Sequence, residues 1–436
     1  MFSAIARVFQ SPDLRRKIFF TLGIIAIYRI GAFIPAPGVS YDGVQRCLAL
    51  GETEGGLYAF VNMFSGGAML QVSVFALGIM PYITAAIITQ LLRVVIPRFE
   101  ALQREGAQGQ AKLTQYTRYL TIGIGTLNAT VLVTMARSGA LLGCQPGEIV
   151  PDDSLPVILL MILVMVTGVT LIMWLGEQIT ERGVGNGMSI LIFVAIAAGF
   201  PGSMQEIWNV QGWRVFAMVM VIGIILVGAI VFVEQSQRRV PVQYAKKQIG
   251  RRTVGGTSTY IPIKVNMAGV IPVIFSSSVL MLPSVLMQFN QPAPGEEPSG
   301  VMNFISVYFG QGDHPVYMAT FFLLTMGFTY FYVSITFNPN EVAENMRKYG
   351  GFIPGIRAGR PTENYLSYVI SRITFPGALY LGFIALIPLI AFVLIGADQN
   401  FPFGGTSILI MVGVGLTTVK QINAQLEQHN YEGLLR

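Results

Sequence analysis

The sequence predicts an all-α membrane protein with ten transmembrane helices, and three observations carry that expectation. Of its 436 residues 53% are apolar and 11% are charged, where a soluble domain carries about a quarter charged residues. Apolar runs suited to a hydrocarbon core of about 30 Å recur along the whole chain, so no segment is left to build a soluble core. Nine of the ten runs contain no Asp, Glu, Lys or Arg; the exception is Arg29, near the end of the first.

The runs are 18–34, 72–92, 119–136, 155–175, 188–200, 215–233, 265–289, 316–337, 373–395 and 404–419. The fifth has only 13 residues, too few to cross lipid comfortably, and is expected inside the bundle. Ten spans divide into two sets of five, and a half with an odd number of spans enters the membrane in the opposite sense to its twin, the arrangement of inverted repeats.

Lys and Arg separate between alternate loops. Of 28, 24 lie before the first span, in 93–118, 176–187, 234–264 and 338–372, or after 419. Arg46, Arg137 and Arg214 fall on the other side, together with 11 of the 22 acids. The positive-inside rule then places both termini in the cytoplasm. No cleavage site follows the first apolar run, and Arg15, Arg16 and Lys17 anchor that span.

Two histidines and two cysteines exclude a histidine-rich metal site, a disulfide framework and a Cys-x-x-Cys redox pair. Pairing of Cys47 with Cys144 is left open. No Ser/His/Asp or His-Glu-x-x-His grouping supports an intramembrane protease, and no span holds the Asp, Glu or His chain of a proton-coupled carrier. No cofactor and no direct small-molecule substrate are expected. The basic loops 234–264 and 338–372 are long enough to project, so either anionic lipid or a large acidic partner fits their charge.

Three segments do not fit a plain bundle. The stretch 57–68 is apolar but too short to span, and ends in Gly66-Gly67, a pair that permits backbone angles other residues avoid. It reads either as an interfacial helix or as an element that pivots. The second run contains Gly78 and Pro81; the seventh contains Gly269-Val-Ile-Pro272 followed by Ser276, Ser277 and Ser278. Interrupted helices in corresponding parts of two halves point to a central pathway, against ordinary kinking in a packed bundle.

The strings Met63-Phe-Ser-Gly-Gly67, Ala76-Leu-Gly-Ile-Met-Pro-Tyr-Ile83, Gln115-Tyr-Thr-Arg-Tyr119, Trp174-Leu-Gly-Glu-Gln-Ile-Thr-Glu-Arg-Gly183, Lys264-Val-Asn-Met-Ala-Gly-Val-Ile-Pro272 and Phe352-Ile-Pro-Gly-Ile-Arg357 closely resemble the bacterial SecY family, the pore subunits of the Sec protein-conducting channel. The resemblance covers essentially the whole chain and departs mainly around 137–154 and 290–315.

The resemblance implies two inverted five-helix halves, 1–200 and 201–436, hinged between spans five and six around an hourglass pore. It implies a short plug helix at 57–68 that includes Asn62, Met63, Phe64, Ser65, Gly66 and Gly67. A constriction ring is implied at Ile79, Ile83, Met188, Ile192, Ile274 and Ile410, Met188 standing where a branched aliphatic residue is usual. Residues four apart share a helix face, in keeping with the pairs 79/83 and 188/192; the plain alternative is core packing. Thr84, Gln90, Ser278 and Leu282 are implied in a lateral gate that opens toward membrane lipid. Arg238, Arg239, Arg251, Arg252 and above all Arg357 are implied in docking the SecA motor or the ribosome. SecE and SecG are the implied partner subunits, and signal sequences and unfolded polypeptides the cargo, in the bacterial cytoplasmic membrane. The function implied is non-enzymatic conduction of polypeptide across the membrane and of hydrophobic helices laterally into it. A binding-only membrane scaffold and a secondary transporter are the competing classes, disfavoured by the interrupted helices and by the absence of buried ionisable groups respectively.

Overall fold

In hydrocarbon, backbone N–H and C=O groups must be paired within the segment that carries them, so apolar runs of spanning length fold as helices. The computed structural model describes residues 11–50, 65–139, 141, 144–244, 247–249, 252–254, 258–289, 300–309, 314–395 and 405–434, and a helix lies at each of the ten predicted spans.

In chain order they are α1 (Pro12–Phe33), α2 (Tyr41–Leu50), α3 (Met80–Val95), α4 (Pro97–Arg104), α5 (Ala107–Ser138) and α6 (Leu155–Arg182). Next come α7 (Gly187–Asn209) and α8 (Gly212–Gln235), separated by the left-handed Gly212, φ +79°. Strands β1 (Gln237–Tyr244), β2 (Lys247–Ile249), β3 (Arg252–Val254) and β4 (Ser258–Lys264) follow, then α9 (Ile271–Phe289), α10 (Gly300–Phe309), α11 (Pro315–Thr336), α12 (Pro339–Lys348), β5 (Gly351–Phe352), α13 (Arg360–Ile395) and α14 (Gly405–Leu434).

Among the described residues seven helices are long and apolar enough to cross a bilayer, or eight if α3 and α4, bent by 103° at Ile96, count as one span. The two others at predicted spans are α1, which carries Arg29 and a charged first turn, and α9, whose apolar stretch is described over Ile271–Leu280. Large apolar side chains such as Leu155 and Phe232 stand more than 70% exposed, which suits a surface solvated by lipid tails rather than water.

Several boundaries need correction. The second helix begins at Met80, not at 72, because residues 66–79 form turns. The fifth has 23 residues rather than 13 and can span; its apolar window is also the most buried of the seven, so it is both long enough and interior. The ninth begins at Arg360, inside the loop predicted over 338–372. Within the all-α membrane fold, the loop 234–264 carries antiparallel strands, with β1 between β4 and β5 in a three-stranded sheet and β2 paired to β3.

The chain divides into two compact units, one of Met1–Met218, Ile395–Pro402 and Ile410–Arg436, the other of Val219–Leu394 and Phe403–Leu409. In the first, α5 packs on α3 and α6. Leu132, Val133, Met161, Met165 and Val169 fill a core shared with Ala36, Val44 and Val72. At one end of this layer Arg118 makes a two-pronged ion pair with Glu177, 2.9 and 2.8 Å, the geometry that suits a guanidinium to a carboxylate. A disulfide joins Cys47 on α2 to Cys144, which answers the pairing question. In the second unit Val240, Val242 and Ile263 of the sheet are buried against Val333, Met346, Ile353 and Leu366, and Phe275 of α9 meets Phe328 of α11 edge-on at 4.2 Å.

Candidate functional site

The run Ser65–Ile79 is as apolar as a helix yet does not form one, and backbone pairing explains why. Val72, fully buried at φ +46°, is the one described non-glycine residue in the left-handed region, a conformation that persists only where the surroundings fix it. Its carbonyl accepts the Ala36 N–H (3.0 Å), the Val74 N–H donates to Ile34 (2.9 Å), and Pro35 bridges Ser73. These pairings pull the segment onto the end of α1. The Phe75 ring fills the space a side chain at Gly31 of α1 would need, and the Val74 carbonyl does the same at Gly168 of α6.

Helix α3 then starts where Gly78 takes φ +56° and Pro81 occupies the first turn, a place where its missing N–H costs nothing. Ile79 is buried and Ile83, one turn later, is half-buried. On α7 the Asn186 side chain caps the helix by accepting the Met188 N–H at 3.1 Å. The Met188 side chain lies across Gly176 of α6, its Sδ where a Cβ would stand, and Ile192 is buried one turn on. Ile410 on α14, which belongs to the first unit, and Ile274 on α9, which belongs to the second, are both buried.

Of the other implied gate residues, the Thr84 hydroxyl donates to the Met80 carbonyl (3.1 Å) and Gln90 is half-buried. Ser276, Ser277 and Ser278 all turn their hydroxyls back onto carbonyls of their own helix, at 2.8 Å. These hydroxyls are therefore satisfied within α9 rather than presented as free polar groups. Leu282 lies on α9, its side chain outside the described set.

Of the plug segment, Ser65, Gly66 and Gly67 are described; Asn62, Met63 and Phe64 lie outside the described residues. Gly66 and Gly67 both have positive φ, +64° and +90°. Arg29 donates from Nη1 to the Gly66 carbonyl at 2.9 Å. The sequence marks Arg29 as the one charge in a span but gives no sign of a partner 37 positions away.

The basic residues of the second unit stand on a built platform. The β1 alternation buries Val240 and Val242 and leaves Arg239 exposed, its guanidinium 4.8 Å over the Tyr260 ring. Arg239 pairs in register with Pro262, so this is a diagonal contact on the outer face of the sheet. Arg238 is exposed beside it. Arg252 opens β3 opposite Ile249; Arg251 lies outside the described residues. Arg357 tops a turn between two left-handed glycines, Gly355 at φ +84° and Gly359 at φ +107°. Buried Ile353 and part-buried Ile356 root this turn in the core, and the Arg357 carbonyl accepts the Thr362 hydroxyl at 2.8 Å, leaving the exposed side chain free to reach outward. The period-two pattern of Val240, Val242, Ile261 and Ile263 is a strand signal that could have located this sheet. A second feature missed was the 2.6 Å bond from buried Asn266 to Glu234, which ties the end of α8 to the segment that leads into α9.

The chain matches the SecY family model over residues 73–419. It is 66% identical to the protein translocase subunit SecY of Micrococcus luteus and 59% identical to that of Streptomyces galbus, over all of both chains in each case. Its fold resembles a solved protein-conducting channel, with a TM-score of 0.64 at 20% identity over 94% of this chain and 92% of that one. The Sec61 channel of a canine ribosome complex matches with a TM-score of 0.60 over the same shares. A family match over most of the chain and full-length relatives well above half identical show that this chain belongs to the SecY family.

Proposed function

We propose that this multi-pass membrane protein, a non-enzymatic translocase subunit of the SecY family, conducts unfolded secretory polypeptides through a pore between its two halves and releases hydrophobic helices sideways into lipid. The observation that carries the reading is the break at the start of the second span: a buried turn run, hinged at Gly66-Gly67, leads into a helix that opens on Ile79, Met80 and Pro81. Such a break is tolerated in a membrane where the segment lines a pathway.

In this reading 57–68 is the plug, and Ile79, Ile83, Met188, Ile192, Ile274 and Ile410 form a waist. Aliphatic side chains offer water no hydrogen bonds, so the idle waist dewets and holds back ions. A passing chain meets only non-directional contacts, each worth about 0.1 to 0.2 kcal/mol per atom pair, which makes passage tolerant of sequence. In this reading Thr84 and Gln90 on the second span and Ser278 and Leu282 on the seventh belong to the lateral gate.

Arg238, Arg239, Arg251, Arg252 and Arg357 form the cytoplasmic docking face for the SecA motor and the ribosome, and SecE and SecG complete the channel. Both termini lie in the cytoplasm in this reading, and the positive-inside distribution of Lys and Arg supports that sidedness. Reconstitution with SecE and SecG, followed by motor-dependent import of an unfolded secretory protein into the vesicles, tests the function. A complex that binds the cargo but never passes it is a scaffold, and one that passes only small solutes is a transporter.

A further inference from the structure

Glu234 and Asn266 tie the end of α8 to the chain that leads into α9, and this tie leaves polar atoms over. Asn266 is 3% exposed. Its Nδ2 donates to Glu234 Oε1 at 2.6 Å and to the Gly269 carbonyl at 3.2 Å, but its buried Oδ1 has no hydrogen-bond partner among the described residues. The Tyr380 hydroxyl on α13 is a second buried oxygen of the same kind. A buried polar atom without a partner is costly, and it calls for one from outside the chain.

The two oxygens belong to one place. Gly377 lets α13 approach the segment ahead of α9 so closely that an added Cβ would run into the Val265 carbonyl and stand 3.9 Å from the Asn266 Cα. Tyr380 follows Gly377 by three positions, on the same face of α13, and is near enough to Glu234 to feel its charge. All of these residues belong to the second compact unit. The groups gathered there are a carboxylate, an amide oxygen, a phenol and the carbonyl of left-handed Gly269, a set of hard oxygen donors. Glu234 also lies in the last turn of α8, where the helix dipole adds negative potential. Helix C-terminal ends and unwound backbone carbonyls are the parts of membrane proteins that hold alkali cations. One carboxylate among neutral oxygens matches a single positive charge.

We propose that the cluster of Glu234, Asn266, Gly269 and Tyr380 is a binding site for one monovalent alkali cation, Na⁺ or K⁺. Asn266 Oδ1 and Tyr380 Oη supply the two oxygens that lack partners, and Glu234 supplies the charge. The bound cation joins α8, the turn ahead of α9 and α13, so the joint between strand β4 and the seventh span is tightest in alkali salt.

Hydrogen exchange tests this in the full chain, purified with its partner subunits at one pH and one ionic strength in NaCl, KCl or N-methylglucamine chloride, whose cation is too bulky to enter. The Val265 and Ile274 amides, bonded to the Ser236 and Val270 carbonyls, report opening of the joint. At ten times its half-saturating concentration, an alkali cation that binds only the closed joint should slow their exchange about tenfold relative to N-methylglucamine. Glu234→Gln keeps an acceptor for Asn266 but removes the charge. It should exchange near the parental rate in N-methylglucamine and lose the alkali effect. Tyr380→Phe should raise the half-saturating concentration severalfold, and decides the matter alone if Glu234→Gln does not insert. Equal exchange of the parental protein in all three salts overturns the site, a water molecule then completing the cluster. An alkali effect that survives unchanged in the variants overturns it as well, because the cation then binds elsewhere.

Discussion

The second and seventh spans begin with the same four-residue device. In Gly78-Ile-Met-Pro81 and Gly269-Val-Ile-Pro272 the glycine is left-handed, at φ +56° and +63°, and the helix begins at the residue before the proline. What holds each device in place differs. Before α3 lies a buried turn run fastened to α1 by backbone bonds through Ile34, Ala36, Val72 and Val74, with the glycine hinge at its far end. Before α9 lies strand β4 of the basic platform, and Asn266 fastens the connection by donating to Glu234 and to the Gly269 carbonyl, at 2.6 and 3.2 Å. In the proposed reading one break is continuous with the plug segment and the other with the docking face, so damage at the two should be separable: one set of variants should leak, the other should fail to couple to the motor.

The largest separation is expected at Arg357. Arg357→Glu should cut motor-driven export about a hundredfold or more, in line with the roughly 2 to 5 kcal/mol lost when one partner of a buried, hydrogen-bonded charge pair is removed, while resting conductance and membrane insertion stay as they were. Export at the parental rate, or a leaking channel, would break the contrast between the two spans.

A second test asks whether both spans contribute to the seal. Replacing Ile83, Ile192 and Ile274 together by Asn should wet the waist and raise resting conductance severalfold in planar bilayers without weakening motor binding. Comparing Ile83→Asn with Ile274→Asn then tells whether the second or the seventh span carries more of the barrier. An unchanged conductance in the folded triple variant places the seal elsewhere.

A third effect is smaller and confined to the second unit. Asn266→Leu removes both hydrogen bonds that hold the start of α9 and should lower stability by about 1.5 to 3 kcal/mol, the range for hydrogen bonds to charged groups, seen as a lower melting temperature in detergent. It should slow motor-driven export before it affects the leak. A leak without an export defect would mean that Asn266 serves the waist and not the platform.

These contrasts also show what the sequence could carry. The breaks themselves were legible, since a glycine close ahead of a proline marks an interruption in local chemistry. The charged turn of Arg357 was legible for the same reason, with Gly355 and Gly359 on either side. The start of α3 was not. Residues 72–79 are as apolar as the helix they precede, and pairing with Ile34 and Ala36, more than thirty positions back, helps hold them in turns. The hinge partner Arg29, the Glu234 tie and the pairing of Cys47 with Cys144 across 97 residues are likewise contacts between distant positions that no local period encodes. Strands β1 and β4 are a different case: their alternation was there to be read, and the density of Lys and Arg drew the reading toward charge instead.

The smallest effect isolates why two glycines with almost the same backbone angle are not equivalent. Gly66 at φ +64° and Gly269 at φ +63° carry the same conformational demand, so an alanine at either should cost the left-handed penalty of about 1 to 2 kcal/mol. Around Gly269 an added Cβ meets nothing within 4 Å, whereas at Gly66 it meets the Arg29 guanidinium at 3.0 Å and the Ala195 backbone at 3.1 Å. Gly269→Ala should therefore show the conformational cost alone, and Gly269→Asn less of it, because asparagine visits the left-handed region more readily. Gly66→Ala should show the same cost plus a displacement that Asn cannot relieve. Melting temperatures of the four variants measure this directly. If Asn rescues position 66 as well as position 269, the crowding by Arg29 and α7 carries no weight, and the two glycine turns differ only in the partners that hold them.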